Sequence, residues 1–376
     1  MTGPAPPPPQ LAWLEALREP ASALEWDLAR WEHVIRVARR LRLLGRLASG
    51  VCAAGMLPRV PAQAARHLQA ELRYATWRSD GLAWVLERLP DMLGEVTYPL
   101  VLLKGAAYMG QGLAIGRGRL PSDVDILVPR EHIADAQARL LGAGWEEAAL
   151  DAHDQRYYRE WSHEVAPMRH PLHGLELDLH HNILPPVART HVDASLLLAS
   201  LQASNWPHWQ VLAPADQVLH SAAHLFHDSE LRDRLRDLVD LDGLLRHFGT
   251  APGFWDGLVA RASVLGLHES LALALHFCSR WLATPVPPEV MAAARARGLS
   301  RAKALWLHPL LEATLWPADP DRLPPRRQAL AAQTLLVRHH LGRMPLSLLL
   351  PHLWHKLRPG AGARADADVA ADAPAR

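Results

Sequence analysis

Cysteine is nearly absent: Cys52 and Cys278 are the only two in 376 residues, too few and too far apart for a disulfide scaffold or a thiolate zinc site. An excess of charge of one sign is missing as well. The 40 basic and 39 acidic residues leave a formal net charge of +1, so no global field draws the chain to nucleic acid or to a membrane surface. That balance disfavours a dedicated DNA-binding protein. No uninterrupted apolar run is long enough to span a bilayer, and neither end carries a signal-peptide pattern, so a soluble cytoplasmic protein is expected. Lysine is scarce too. Lys104, Lys303 and Lys356 are the only ones, and every other basic residue is an arginine. Heavy arginine and alanine usage fits a GC-rich genome. Against that background, Lys104 in a turn after an apolar run suggests a site suited to a compact ammonium rather than a planar guanidinium.

What the chain has is apolar content, 49% of its residues, ample for one large or two to three modest domains. Residues 1–10 are a proline-rich lead, expected to be extended or disordered. Residues 11–95 carry helical stripes, first Trp13, Leu14, Leu17, Val34, Ile35, Val37, Leu41, Leu43 and Leu44. A second stripe, Leu68, Leu72, Trp77, Leu82, Val85 and Leu86, reads as a core face. Residues 96–185 read as an α/β core, with strands at 99–103, 157–165 and 175–180 and a helix at 130–141 stopped by Gly142 and Gly144. From 186 to 358 the pattern is helical, and 359–376 is a low-complexity tail expected to be disordered. The fold class that follows is α+β: a small mixed sheet flanked by N- and C-terminal helical regions.

The chemistry concentrates in residues 101–128. An apolar run, Val101-Leu102-Leu103, breaks at Lys104-Gly105, and Asp123-Val124-Asp125 leads into a second run, Ile126-Leu127-Val128. On a strand, residues two apart share a face, so Asp123 and Asp125 project together, roughly 6–7 Å apart at the backbone. Two such carboxylates repel unless a cation sits between them, and hard oxygen donors suit magnesium. A solvent-exposed Asp-x-Asp at a strand start is the other reading. Downstream, Leu175 to His180 alternates, placing Glu176, Asp178 and His180 on one face. If that strand lies beside the first, Asp178 completes a three-carboxylate cluster. Gly105 lets a phosphate approach the backbone closely, and Arg117 and Arg119 either grip a triphosphate or neutralise the nearby aspartates. His220 and His224, four apart on one helix with Asp228 beyond, also invite a His/Asp metal phosphohydrolase reading.

Lys104-Gly105, Arg119 four residues before Asp-x-Asp, and the later Leu177-Asp178-Leu179-His180 together resemble the uncharacterised nucleotidyltransferase family of the DNA polymerase β superfamily. The motifs cover about residues 100–182, with weaker similarity in the helices after 215. Lys104-Gly105 stands where many superfamily members have Gly-Ser, so the hydroxyl usual in that turn is missing and its phosphate contacts must differ. The resemblance implies a nucleoside triphosphate donor and Mg2+, or Mn2+, held by Asp123, Asp125 and Asp178. Asp178 then either helps to bind a second metal or acts as a general base. Lys104, Gly105 and Arg119, with Arg117 near, would cradle the triphosphate. The resemblance also gives His180, His220, His224 and Asp240 a place lining the cleft. The acceptor, a small molecule, peptide, protein or RNA, is left open. So is a non-catalytic partner-binding module on the same fold.

Overall fold

Asp27 opens the first α-helix. Its carboxylate accepts a hydrogen bond from the Arg30 amide at 2.7 Å, one of the amides a helix start leaves unpaired, and α1 runs Leu28–Arg40. In the computed structural model, which describes residues 9–172 and 174–350, two 3-10 segments precede it, Pro9–Leu17 and Pro20–Glu25. The proline-rich lead before residue 9 and the low-complexity tail lie outside the described residues. α2 (Leu44–Ala53) and α3 (Ala62–Leu93) follow, and Trp13, Leu14, Val34, Ile35, Leu68, Leu82, Val85 and Leu86 are buried as the stripes predict. Trp77 departs from its stripe: it is 65% exposed and stacks on Tyr74. Five residues along a helix from both Leu72 and Leu82, it sits about 140° round from each.

The sheet is built from short strands. β1 (Leu100–Leu102) leads into α4 (Lys104–Gly110), and β2 (Asp123–Leu127) into α5 (Ile133–Gly142) and β3 (Glu146–Glu147). α6 (Ala152–Glu160), β4 (Met168–Arg169), β5 (Glu176–His180) and α7 (Ala194–Leu198) follow, then β6 (Gln202–Ala203) and β7 (Trp209–Val211). Seven strands lie in the order β3-β4-β5-β2-β1-β7-β6. β2 is antiparallel to β1 and parallel to β5, so the sheet is mixed and the fold is α+β.

One strand expectation and one helical expectation fail. Residues 157–165 are not a strand: α6 takes the first four, started by Asp151, whose carboxylate accepts from the Asp154 amide at 2.8 Å. Only Glu164 bridges to the sheet, opposite His180. Beyond residue 186 the chain is not wholly helical, because β6 and β7 extend the sheet past β1. Strands of two and three residues are too short to display a two-residue period.

The rest is helical: α8 (Pro214–Phe226), α9 (Leu235–Phe248), α10 (Phe254–Val264), α11 (His268–Leu282), α12 (Pro288–Gly298), α13 (Arg301–Leu315) and α14 (Arg326–Arg343). α8 packs against α9, α10 and α11, which explains why it is buried nearly all round. Buried side chains from Leu11 to Leu335 form a single hydrophobic cluster. No helix among the described residues is long and apolar enough to cross a membrane.

Candidate active site

The chain leaves β1 at Leu103 and turns through Lys104 with φ +43°, a left-handed conformation that a residue with a Cβ rarely adopts. Such a backbone stores about 1–3 kcal/mol of strain and persists only where its surroundings hold it. Here the ammonium anchors it: Lys104 Nζ donates to Asp125 Oδ1 at 2.8 Å. Asp125 sits in the middle of β2, and the parallel register sets it directly opposite Asp178 on β5. His180, two residues on and so on the same face, places Nε2 3.1 Å from Asp125 Oδ1 and Nδ1 3.4 Å from Glu164 Oε2. Asp123, one strand period before Asp125, accepts from Ser122 Oγ at 2.8 Å.

Charge in this cluster is unevenly held. Burial works to raise the Asp125 carboxyl, yet the Lys104 ammonium and the His180 hydrogen bond outweigh it and hold the group ionised, well below the usual carboxylate range. Lys104 is likewise charged beyond its ordinary range, the attraction of Asp125 overcoming burial. Asp178 goes the other way. Burial, and then the negative charge of Asp125, push its pKa up to about 7. One carboxylate is thus firmly ionised while its neighbour is left short of positive charge.

A divalent cation fits that deficit. Asp125, Asp178 and His180 each offer one ligand atom, all within 4.8 Å of one another, and an ion among them would offset the Asp125 charge that adds to burial in raising Asp178. Asp123 is not a member of that close group; it lies at the rim, half-buried, where it lines the adjoining cavity.

The loop before β2 does something the sequence does not suggest. Arg119 is buried, and its Nε donates to Asp240 Oδ2 of α9 at 2.9 Å. Its guanidinium lies over Gly105, where a Cβ would collide with it. Gly105 therefore makes room for Arg119 in this structure, in place of the expected phosphate. Arg117 is exposed and does not line the cavity.

That cavity, about 860 Å3, opens over the carboxylates and is walled by residues as distant in sequence as Lys104, Asp178, Asp240 and Arg343. His224 lines it and His220 does not. Burial pulls the pKa of both below the ordinary histidine value, His220 to about 3, so both are neutral imidazoles, His220 in the core and His224 at the cavity wall. Asp228 is ion-paired to Arg234, and these three residues do not form a metal-ligand group among the described residues. The geometry required by the phosphohydrolase reading is therefore not assembled. Two residues that sequence reasoning missed do reach the site, His163 and Glu164, brought to His180 by the backbone bridge. Nothing local marks them, since their partner, His180, lies on a separate strand.

Fold and site define a class: an α+β protein whose central strands bring carboxylates together beneath an open cavity. The chain belongs to an uncharacterised nucleotidyltransferase family, whose sequence model matches residues 27–283. No curated protein and no solved structure matches the chain. The family match stops at the end of α11, yet Lys303 of α13 and Arg338 of α14 also line the cavity.

Proposed function

We propose that this protein transfers a nucleoside monophosphate from a nucleoside triphosphate to a hydroxyl-bearing acceptor. The observation that carries the reading is the register of β2 and β5, which sets Asp125 opposite Asp178 beneath the cavity, within a chain that belongs to a nucleotidyltransferase family. Asp123, Asp125 and Asp178 would hold Mg2+ or Mn2+, which when bound neutralises charge on the phosphates and the departing pyrophosphate.

The chain's own groups supply the rest. Lys104 carries a compact positive charge on a flexible stem, and in the resting site it screens Asp125. Turning from that carboxylate to a phosphate oxygen exchanges one anion for another at little electrostatic cost. Where Asp178 leaves the ion to Asp123 and Asp125, its carboxylate is placed instead to accept the acceptor hydroxyl's proton as general base. Arg119 acts at one remove, by fixing α9 against the turn at Gly105.

The test is calorimetric titration of each nucleoside triphosphate, with magnesium, into wild type and an Asp123→Asn/Asp125→Asn double variant. Magnesium-dependent binding should appear with at least one triphosphate and be lost in the variant. Binding of equal strength in both proteins would rule out the carboxylate site.

A further inference from the structure

Across the ring of His180 from Asp125 lies a second group that nucleotidyl transfer does not require. We propose that His163, Glu164 and His180 form a binding site for one divalent transition-metal ion of the zinc class.

The donor spacing is near that of a preformed site. His180 Nδ1 is 3.4 Å and His163 Nε2 3.9 Å from Glu164 Oε2, and ligand atoms from all three residues lie within 4.8 Å of one another. Donors about 2.0–2.1 Å from a tetrahedral zinc stand about 3.3–3.4 Å apart, so the Glu164–His180 pair is already at that spacing and the other pairs close by about 1.5 Å or less. The backbone already holds the ligands in place. Glu164 bridges to His180, the Val165 amide donates to the Leu179 carbonyl at 3.0 Å, and the His181 amide donates to the His163 carbonyl at 2.8 Å.

An independent observation points to a missing ligand. The His180 side chain is 3% exposed, and its Nδ1 has no hydrogen-bond partner; the Nδ1 of His163 is likewise buried and unpartnered. A buried ring nitrogen without a partner is costly, and a metal ion would satisfy that of His180. The opposite edge of His180 is prepared for this role. Its Nε2 lies 3.1 Å from Asp125, the carboxylate–histidine–metal arrangement in which an N–H donated to a carboxylate fixes the ring and raises the basicity of the other nitrogen. Two imidazoles and one carboxylate favour zinc, cobalt or another first-row transition ion over magnesium. All three residues line the cavity, so the ion keeps an open position facing it, as catalytic rather than structural zinc sites do. The inference concerns metal binding alone and stands independently of nucleotidyl transfer.

Cobalt is the probe. Metal-free protein is titrated with Co2+ in the absence of nucleotide, following visible d–d absorption, and then challenged with Zn2+ and with excess Mg2+. Wild type should bind one ion per chain with a tetrahedral or five-coordinate spectrum, displaced by zinc and not by magnesium. Both His163→Ala and Glu164→Gln should weaken cobalt binding by more than about tenfold, the least that losing even an outer-shell partner costs. Thermal melts establish that each variant is folded, and His163→Gln replaces His163→Ala if it is not. Absence of a cobalt spectrum in wild type overturns the site, as does undiminished binding in either folded variant. Binding lost only in Asp178→Asn overturns it as well, placing the ion in the carboxylate cluster. A cobalt-negative protein that still binds magnesium nucleotide would lose this site and keep the transferase reading.

Discussion

Asp178 sits in an uncomfortable environment, and that discomfort is measurable without knowing the substrate. Folded, it holds its proton up to about pH 7; unfolded, it releases it near 3.8. Between those values the folded state binds more protons than the unfolded one, so stability falls as pH rises through the window and levels off above it. Asn is nearly isosteric and cannot ionise. Asp178→Asn should therefore match wild type near about pH 4 and exceed it increasingly up to about pH 7, by an amount on the order of 2–4 kcal/mol. Thermal melts of metal-free protein across that range provide the check. A wild type that melts in parallel with the variant at every pH would mean that Asp178 titrates normally. Added magnesium or manganese should narrow the gap by stabilising wild type alone.

At the scale of elements, the site depends on how α2 meets the loop ahead of β2. Gly45 on α2 and Gly118 in the loop touch backbone to backbone: a Cβ on either would run into the carbonyl of the other. Gly118 also sits at φ +67°, where a side chain is strained. This close approach sets the turn that sends Arg119 inward rather than into solvent. Gly118→Ala should cost about 2–4 kcal/mol, the left-handed penalty adding to the overpacking, and Gly45→Ala should cost less because it carries the collision alone. Urea unfolding measures both. A loss under about 0.5 kcal/mol in Gly118→Ala, ordinary for a surface change, would show that the loop is free to move away.

This scale also shows what the sequence could and could not disclose. The long amphipathic helices and the alternation around Asp123, Asp125 and Asp178 were legible because each period repeats within one element. The start of α6 was not, since the Asp151 cap competes locally with a strand-like run of aromatics. Nor was the Arg119–Asp240 contact, which joins residues 121 positions apart. His163 and Glu164 acquire their meaning only from β5, and no spacing rule reaches across that bridge.

At the scale of the whole molecule, one carboxylate ties three parts of the chain together. Asp240 on α9 accepts from Arg119 of the loop before β2 at 2.9 Å and from Arg46 of α2 at 3.2 Å. All three side chains are largely buried, so each guanidinium depends on Asp240 to offset the loss of its hydration. Asp240→Ala would orphan two buried cations at once. Breaking one buried pair costs about 3–5 kcal/mol, a large part of the 5–15 kcal/mol that usually separates folded from unfolded chains. Asp240→Asn keeps an oxygen acceptor and should lose less. The form of the transition carries as much information as its midpoint. The hydrophobic cluster runs unbroken from Leu11 to Leu335, which couples the N-terminal helices, the sheet and the C-terminal helices. If that coupling holds, the variant unfolds in urea in a single step with a lower midpoint and an unchanged slope. A second transition would mean instead that Asp240 is the main tie between bodies that otherwise fold independently. The cavity, whose walls come from the sheet and from α8, α9, α11, α13 and α14, would then open before the carboxylate cluster itself was disturbed.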